Sequence, residues 1–445
     1  MAHDAHLVHD THERALLRPV GFTIYWLDYK WAGTNPFRWH LWSLSVHILN
    51  SALLFVRELK LGRFASTVCA LIFAIHASRA GPVSWTDARF DLLATACVLA
   101  SLILLNRYLD TGRRLHFLLA MVPAVLALFV KESAFCLPFL VPCLIPFKEK
   151  SARRGVIQSA IVLFVICITG FLYRWWMLGG IGGYRTPAGR PMIADFGPLQ
   201  ISKVLLLRLW AILNFPINWS VEPGWWLKIG MVLVVIAMAV ICFVSSGNRS
   251  RLAAAAGFVV ASTLPVGHLL LIGPDLGGAR FLYLPVVGFA LFFGLLFESL
   301  RSGRCQVLLA AGLLFFHEAA LQHSLRMWRE VPALARAACM DFGKELASDS
   351  RSAIVSDLPI TLHGVYFLAN GFPQCVAFNS GQDAGRIHVA RQDPLSPQEN
   401  VRRFTWEEKR FRLIEVAPEA EPLASPTSSG KAPKRRRSRS PASPR

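Results

Sequence analysis

The sequence predicts an all-α polytopic membrane protein, and three observations carry that fold class. Apolar stretches of membrane-spanning length recur about ten times between Arg38 and Leu321. Nearly every charge between them falls in a short connector. The 445 residues are 54% hydrophobic and only 17% charged, with mean hydropathy +0.43, 13 Trp and 30 Phe. A run of roughly 18 apolar residues matches the hydrocarbon thickness of a bilayer, and within lipid only helices or closed barrels satisfy their own backbone. A soluble chain of this length would show amphipathic helices or alternating strands. Here the segments are apolar all round.

The transmembrane region is 38–324, with helices at about 38–56, 64–77, 89–106, 115–131, 133–147, 155–173, 227–245, 252–271, 281–299 and 305–322. Lys and Arg concentrate in alternate connectors, which fixes orientation. Arg57, Lys60 and Arg63 mark one inner loop, then Arg107, Arg113 and Arg114, then Lys148, Lys150, Arg153 and Arg154. Arg249 with Arg251 and Arg301 with Arg304 complete the set. The connectors 77–89, 131–133, 174–226 and 272–280 fall outside, as do 1–37 and everything after 322. Segment 200–217 is apolar enough to cross, but a crossing would invert the later loops. It is expected as a re-entrant or interfacial helix with Lys203 and Arg208 near head groups; the rival is a true crossing with a weakly charged loop at 218–226.

Residues 1–37 form an outer N-terminal segment with no signal peptide or preceding apolar helix. A late start codon, a shortened protein and a metal-binding tract all fit that beginning. His3, His6, His9 and His12 recur three apart beside Asp4 and Asp10, a pattern that could hold Zn²⁺. A disordered end is the preferred reading, and no metal is assigned. The tail 416–445, rich in Pro, Ser and Ala and ending KAPKRRRSRSPASPR, cannot bury a core and is expected to be disordered. The net charge of +19 lies in inner loops and this tail, where it meets anionic lipid rather than nucleic acid.

Residues 325–415 change texture. Val331–Ala338 and Met340–Glu345 look helical. Ala353–Val355, Gly364–Phe367, Gln374–Phe378, Arg386–Ala390 and Arg410–Glu415 look like strands separated by Gly, Pro and Asn. A small extracytoplasmic α+β cap is expected. Cys69, Cys97, Cys136, Cys143, Cys167, Cys242 and Cys305 fall in or beside helices as small apolar fillers. Cys339 and Cys375 lie where oxidation can occur, though free thiols are the preferred reading.

Ionisable groups at membrane depth are functional candidates. Four groups stand out, all on the outer side. Arg18–Pro19 precedes an aromatic amphipathic stretch, and IHASRAGPVSWTDARFDLL sets Trp85, Asp87, Arg89 and Asp91 at a helix mouth. Val130–Lys131–Glu132–Ser133 joins two helices without a spacer, and GPDLGGARFLYLP puts Asp275 and Arg280 before a helix. Each alone could be an interfacial anchor. Together they supply cations and carboxylates for a substrate with an anionic head and an apolar tail. The carboxylates could serve as a base or hold a divalent cation, though no cofactor is assigned. His40, His47 and Asn50 share one helix face and, like His76, His268 and His317, are read as interhelical hydrogen-bonding groups. Gly179–Tyr184 reads as a flexible turn rather than a phosphate cradle.

The ordered series RPVGFTIYWLDYKWAGTNPFRWHLWSLSVHILNSALL, IHASRAGPVSWTDARFDLLAT, VKESAFCLP, LGGIGGY and ARFLYLPVVGFAL resembles the GT-C superfamily of integral-membrane glycosyltransferases. The nearest branch is the bacterial relatives of protein O-mannosyltransferases, and the likeness covers about residues 15–330. LHGVYFLANGFPQ also looks similar. The resemblance implies a multi-pass cell-membrane enzyme, of a bacterial inner membrane, that moves a sugar from a polyprenyl-phosphate donor to a hydroxyl on a protein or glycan. By position it makes Lys131, Arg280 and Arg89 donor-phosphate binders, with Arg89 and Asp91 as the second-loop pair. Asp87, Asp91 and Glu132 become catalytic candidates, and Asp10 a weak one. The chain departs from the pattern twice. The family's first helix and following acidic motif have no clear match. Where the family reads His-Pro-x-His-x-Glu, this chain has His76, Ala77, Ser78, Arg79, Ala80 and Gly81. A truncated start, lost activity, or substitution by Asp87 would each account for this. The rival functions are a degenerate relative that binds lipid-linked sugar, and a lipid or solute transporter.

Overall fold

The structure is a computed structural model and describes residues 7–10, 14–55, 61–184, 197–203, 207–244, 249–269, 272–368, 371–390, 401–407 and 409–414. The predicted disordered tail at 416–445 lies outside them. Two short strands open the chain, β1 (Leu7–Asp10) and β2 (Arg14–Leu17), paired antiparallel. Helix α1 (Pro19–Ala32) follows, with Pro19 at a first-turn position where its missing N–H is no loss. It carries the aromatic stretch expected at an interface: Trp26, Leu27, Tyr29 and Trp31 are exposed on it.

Helices α2 (Pro36–Phe55) and α3 (Arg63–Ile75) match expectation to within a few residues. After His76 come short turns and α4 (Ala80–Ser84), then α5 (Arg89–Thr111), which stops at Gly112 in the left-handed region. Helix α6 (Arg114–Val130) ends where Lys131 turns extended. The segment predicted as one helix at 133–147 is instead broken. A 3₁₀ turn at Glu132–Cys136, α7 (Leu137–Leu140) and a second 3₁₀ stretch at Val141–Phe147 replace it. Pro138, Pro142 and Pro146 recur every fourth residue and remove the donors a continuous α-ladder needs.

Helix α8 (Arg153–Leu178) is followed by β3 (Gly183–Tyr184), which pairs with β2. The 200–217 segment holds two short helices, α9 (Pro198–Lys203) and α10 (Leu209–Asn214), with Leu209, Leu213 and Ile217 buried. Helices α11 (Trp225–Val244), α12 (Arg249–Thr263) and α13 (Pro285–Glu298) continue the bundle. Helix α13 lies tight against α3: a Cβ on Gly294 would sit 2.2 Å from the Cys69 sulfur and 3.0 Å from the Ala65 carbonyl oxygen. Small residues let apolar helices approach this way.

The last long helix, α14 (Gly303–Ala347), runs for 45 residues. Expected pieces at 305–322, 331–338 and 340–345 are therefore one rod, with Pro332 inside it. The C-terminal region contains β4 (Ser352–Ser356), a hairpin of β5 (Thr361–Leu362) and β6 (Val365–Tyr366), α15 (Phe372–Ser380), β7 (Ile387–Val389), β8 (Val401–Glu407) and β9 (Arg410–Ile414). Its sheet runs β7-β4-β8-β9, with β4 parallel to β7 and β8, and β9 antiparallel to β8. The strand expected at Gln374–Phe378 is part of α15. Gly371 at φ +80 and Gly381 at φ +72 bracket that helix, and Pro373 starts it. Cys339 and Cys375 are joined in a disulfide, Cα–Cα 5.9 Å, contrary to the free-thiol reading. The reason is geometric: α15 packs directly on α14 within bridging range.

Among the described residues, three helical stretches can cross a membrane by length and composition: Thr86–Thr111, Lys150–Leu178 and Gly303–Ala347. The pair Arg63–Ile75 and Ala77–Ser84, bent by 47°, raises that to four if it counts as one span. About ten were expected. Arg114–Val130, Glu132–Phe147, Trp225–Met238 and Pro285–Glu298 are apolar but shorter. Helices α6, α8 and α11 nonetheless expose Leu118, Val122, Ile161, Val165, Leu172, Val232, Leu233 and Ile236 by more than half each. An exposed apolar belt of that extent is foreign to a water-soluble monomer.

Candidate functional site at the helix-end rim

The four charged groups singled out in the sequence meet where helix ends and turns converge. Asp91 stands in the first turn of α5, and Lys131 at the end of α6 forms an ion pair with it; both are buried. Burial pushes the Lys131 ammonium down to about 8 against the pull of Asp91, and the cations Arg18 and Arg280 add to the lowering. Arg280 lies on the turn leading to α13. Its guanidinium carbon is 4.5 Å from the Trp85 ring centre and 4.9 Å from that of Phe281. The Lys131 nitrogen is 5.4 Å from the same Phe281 ring. The two cations proposed to share an anion thus share one aromatic ring.

Glu132, the next residue, is held between two arginines. Arg18 Nη2 donates to Oε2 at 2.5 Å and Arg174 Nη1 to Oε1 at 2.9 Å. Burial alone would raise its carboxyl, but those guanidinium groups hold it well below the usual carboxylate range. This pairing ties the start of α1 and the end of α8 to the Lys131 junction. Arg89 is fully buried and ion-paired with Asp28 of α1, and it also donates to the Ser43 hydroxyl at 3.2 Å and the Trp39 carbonyl at 2.8 Å. It fastens α1 and α2 to α5 and faces carboxylate and carbonyl oxygens of the chain itself.

Asp87 differs from the other acids. It is exposed on the 3₁₀ turn Thr86–Ala88, and among the described residues no hydrogen bond or ion pair engages it. It lies close to α1: burial and then the Asp87 charge push the Tyr25 phenol up to about 12. Asp275 accepts a bond from the Gly277 N–H at 2.9 Å and shapes the Arg280 loop. Asp10 belongs to β1, and its side chain lies outside the described set. Among the described residues no three His, Cys, Asp or Glu side chains gather as a metal site. Of the His-rich opening, His3, His6 and His12 lie outside the described residues.

Beneath the rim is a polar layer. Arg79 is buried between the rings of Phe73 and Tyr283, at 4.1 and 4.2 Å, and donates to both their carbonyls at 3.0 Å. The Tyr283 hydroxyl meets His47 Nδ1 at 2.7 Å and the Asn50 amide at 3.2 Å. His76 Nε2 reaches the Leu213 carbonyl at 2.8 Å, and its ring stacks on His317 with centroids 4.7 Å apart. The hydrogen-bonding role read for His47, Asn50 and His76 matches these contacts, but not for His317, whose buried ring nitrogens have no hydrogen-bond partner among the described residues; the His268 side chain is outside the described set. Sequence reasoning missed Asp28 and Arg174, whose one signal was a lone charge inside an aromatic or apolar run.

No protein-family model matches this chain, and no curated protein matches it significantly.

Proposed function

We propose that this chain is a multi-pass membrane glycosyltransferase that moves a sugar from a polyprenyl-phosphate donor to a hydroxyl of a protein or glycan on the outer face. In this reading α2, α12 and the four shorter apolar helices cross together with the long stretches and the bent α3–α4 pair, giving about ten spans. Trp31, Trp175, Trp176, Trp225 and Trp226, exposed at helix ends, form the outer interfacial belt together with Trp26 of α1. The Cys339–Cys375 bridge suits a cap in an oxidising compartment.

The observation that carries the reading is the pair of cations over Phe281. Lys131 and Arg280 there can neutralise one phosphate at the rim while its apolar chain lies along the exposed belt. Asp87 takes the acceptor's proton as the oxygen attacks the sugar's anomeric carbon. The bond from that carbon to the phosphate oxygen breaks, and polyprenyl phosphate leaves with both electrons, stabilised by the two cations. Asp91 orients Lys131, and Glu132 fixes Arg18 and Arg174. A second reading, a binder without transfer, is favoured by one fact: Asp91 and Glu132 are both held in ion pairs.

The experiment is transfer from a radiolabelled undecaprenyl-phosphate sugar in membranes carrying the protein. Lys131→Ala or Arg280→Gln should each abolish it. Full transfer by both variants rejects the assignment, and donor binding without transfer by the wild type selects the binder.

A further inference from the structure

The region after α14 does more than follow the bundle: one of its aromatic rings lies against Arg280. Resting on the donor-phosphate role of Arg280 above, we infer that Tyr366 is a positioning residue for that site, so that anion capture requires the cap. The Tyr366 ring stacks on Trp85 with centroids 4.2 Å apart and planes 28° from parallel. The Arg280 guanidinium carbon lies 4.5 Å from the Trp85 ring and 5.8 Å from the Tyr366 ring. A guanidinium over such faces is attracted by their quadrupoles. Trp85 is half-buried between α4 and the Thr86–Ala88 turn, and Tyr366 braces its ring.

The hairpin that carries Tyr366 is seated firmly. Gly364, at φ +80, approaches the Arg280 loop so closely that a Cβ would fall 1.9 Å from the Asp275 carbonyl oxygen. Only glycine fits there. Asn218 donates to the His363 carbonyl at 2.9 Å, and His363 Nδ1 lies 3.2 Å from the Ser220 hydroxyl. Val365 and Phe367 are buried against Met327 and Val331 of α14. The hairpin therefore meets the rim through backbone, hydrogen bonds and apolar contact at once. Tyr366 is the hairpin's aromatic ring in reach of Arg280, 5.8 Å away.

The test is binding of undecaprenyl phosphate, against undecaprenol as the uncharged control, to the full chain in nanodiscs. Tyr366→Ala should weaken phosphate-dependent binding about fivefold. Tyr366→Phe should bind as wild type does, because the ring and not the hydroxyl does the bracing. In an Arg280→Gln background, Tyr366→Ala should cost nothing more, since it acts through Arg280. Wild-type binding by Tyr366→Ala alongside weakened Arg280→Gln overturns this inference and leaves the phosphate role standing. So does equal loss in Tyr366→Ala and Tyr366→Phe, which marks a merely structural contact. Wild-type binding by Arg280→Gln overturns the phosphate role itself.

Discussion

Arg89 and Asp28 form a buried ion pair that locks α1 onto the mouth of α5, with side chains 0% and 9% exposed. Three helices, α2 to α4, separate their elements in sequence, so the pair closes the N-terminal quarter of the fold on itself. Removing one partner leaves an uncompensated charge in a dry site, which costs about 3–5 kcal/mol. Arg89→Met alone should lower the thermal unfolding midpoint of the purified protein sharply. Arg89→Met combined with Asp28→Leu should recover most of the loss. A double variant no better than the single one would show that the pair is not the source.

Asp87 is exposed and unengaged among the described residues, whereas Asp91 and Glu132 are held by cations. Asp87→Asn should therefore cut transfer by about 10²–10⁴-fold while undecaprenyl phosphate still binds. Asp91→Asn should weaken binding as well, since it releases Lys131 from its buried partner. Transfer at the wild-type rate by Asp87→Asn would move the base role elsewhere.

Lys131 supplies a pH dependence. Burial lowers it to about 8, while a lysine in an unfolded chain titrates near ~10.4. Between those values the unfolded chain binds the proton more than the folded one does, so stability rises with pH across that window. Affinity for an anionic head moves the other way and falls as pH rises through about 8. Lys131→Arg, charged throughout, should flatten the fall. Undecaprenyl-phosphate titrations at roughly pH 7 to 9.5 measure it, and a wild-type profile without slope would contradict the burial of a titrating ammonium.

The Cys339–Cys375 bridge closes a separation of 36 residues between α14 and α15. Loop-closure entropy assigns such a crosslink about 3–4 kcal/mol. Cys375→Ser should therefore open the cap to protease at lower temperature while the helical bundle stays resistant. Maleimide labelling of the two sulfurs only after reduction checks the pairing directly.

Composition and apolar run length determined the helical architecture, because a long apolar segment has few ways to satisfy its backbone. Helix ends near His76 and Val130 were legible from the polar residues that stop them, whereas α5 runs on past the expected 106 to Thr111 and stops at Gly112. The clustering of charge at Lys131–Glu132 and before α13 was legible too, as polar residues beside apolar runs. The rest belonged to tertiary structure. The break at 132–147 was already written in its three prolines, but the single rod from Gly303 to Ala347 and the helical Phe372–Ser380 depend on how neighbours pack and on a crosslink. Which cation meets which carboxylate, Lys131 with Asp91 and Glu132 with Arg18 and Arg174, depends on contacts between segments far apart in the chain. Local pattern sets what each segment prefers; only the folded arrangement decides which charges come close enough to interact.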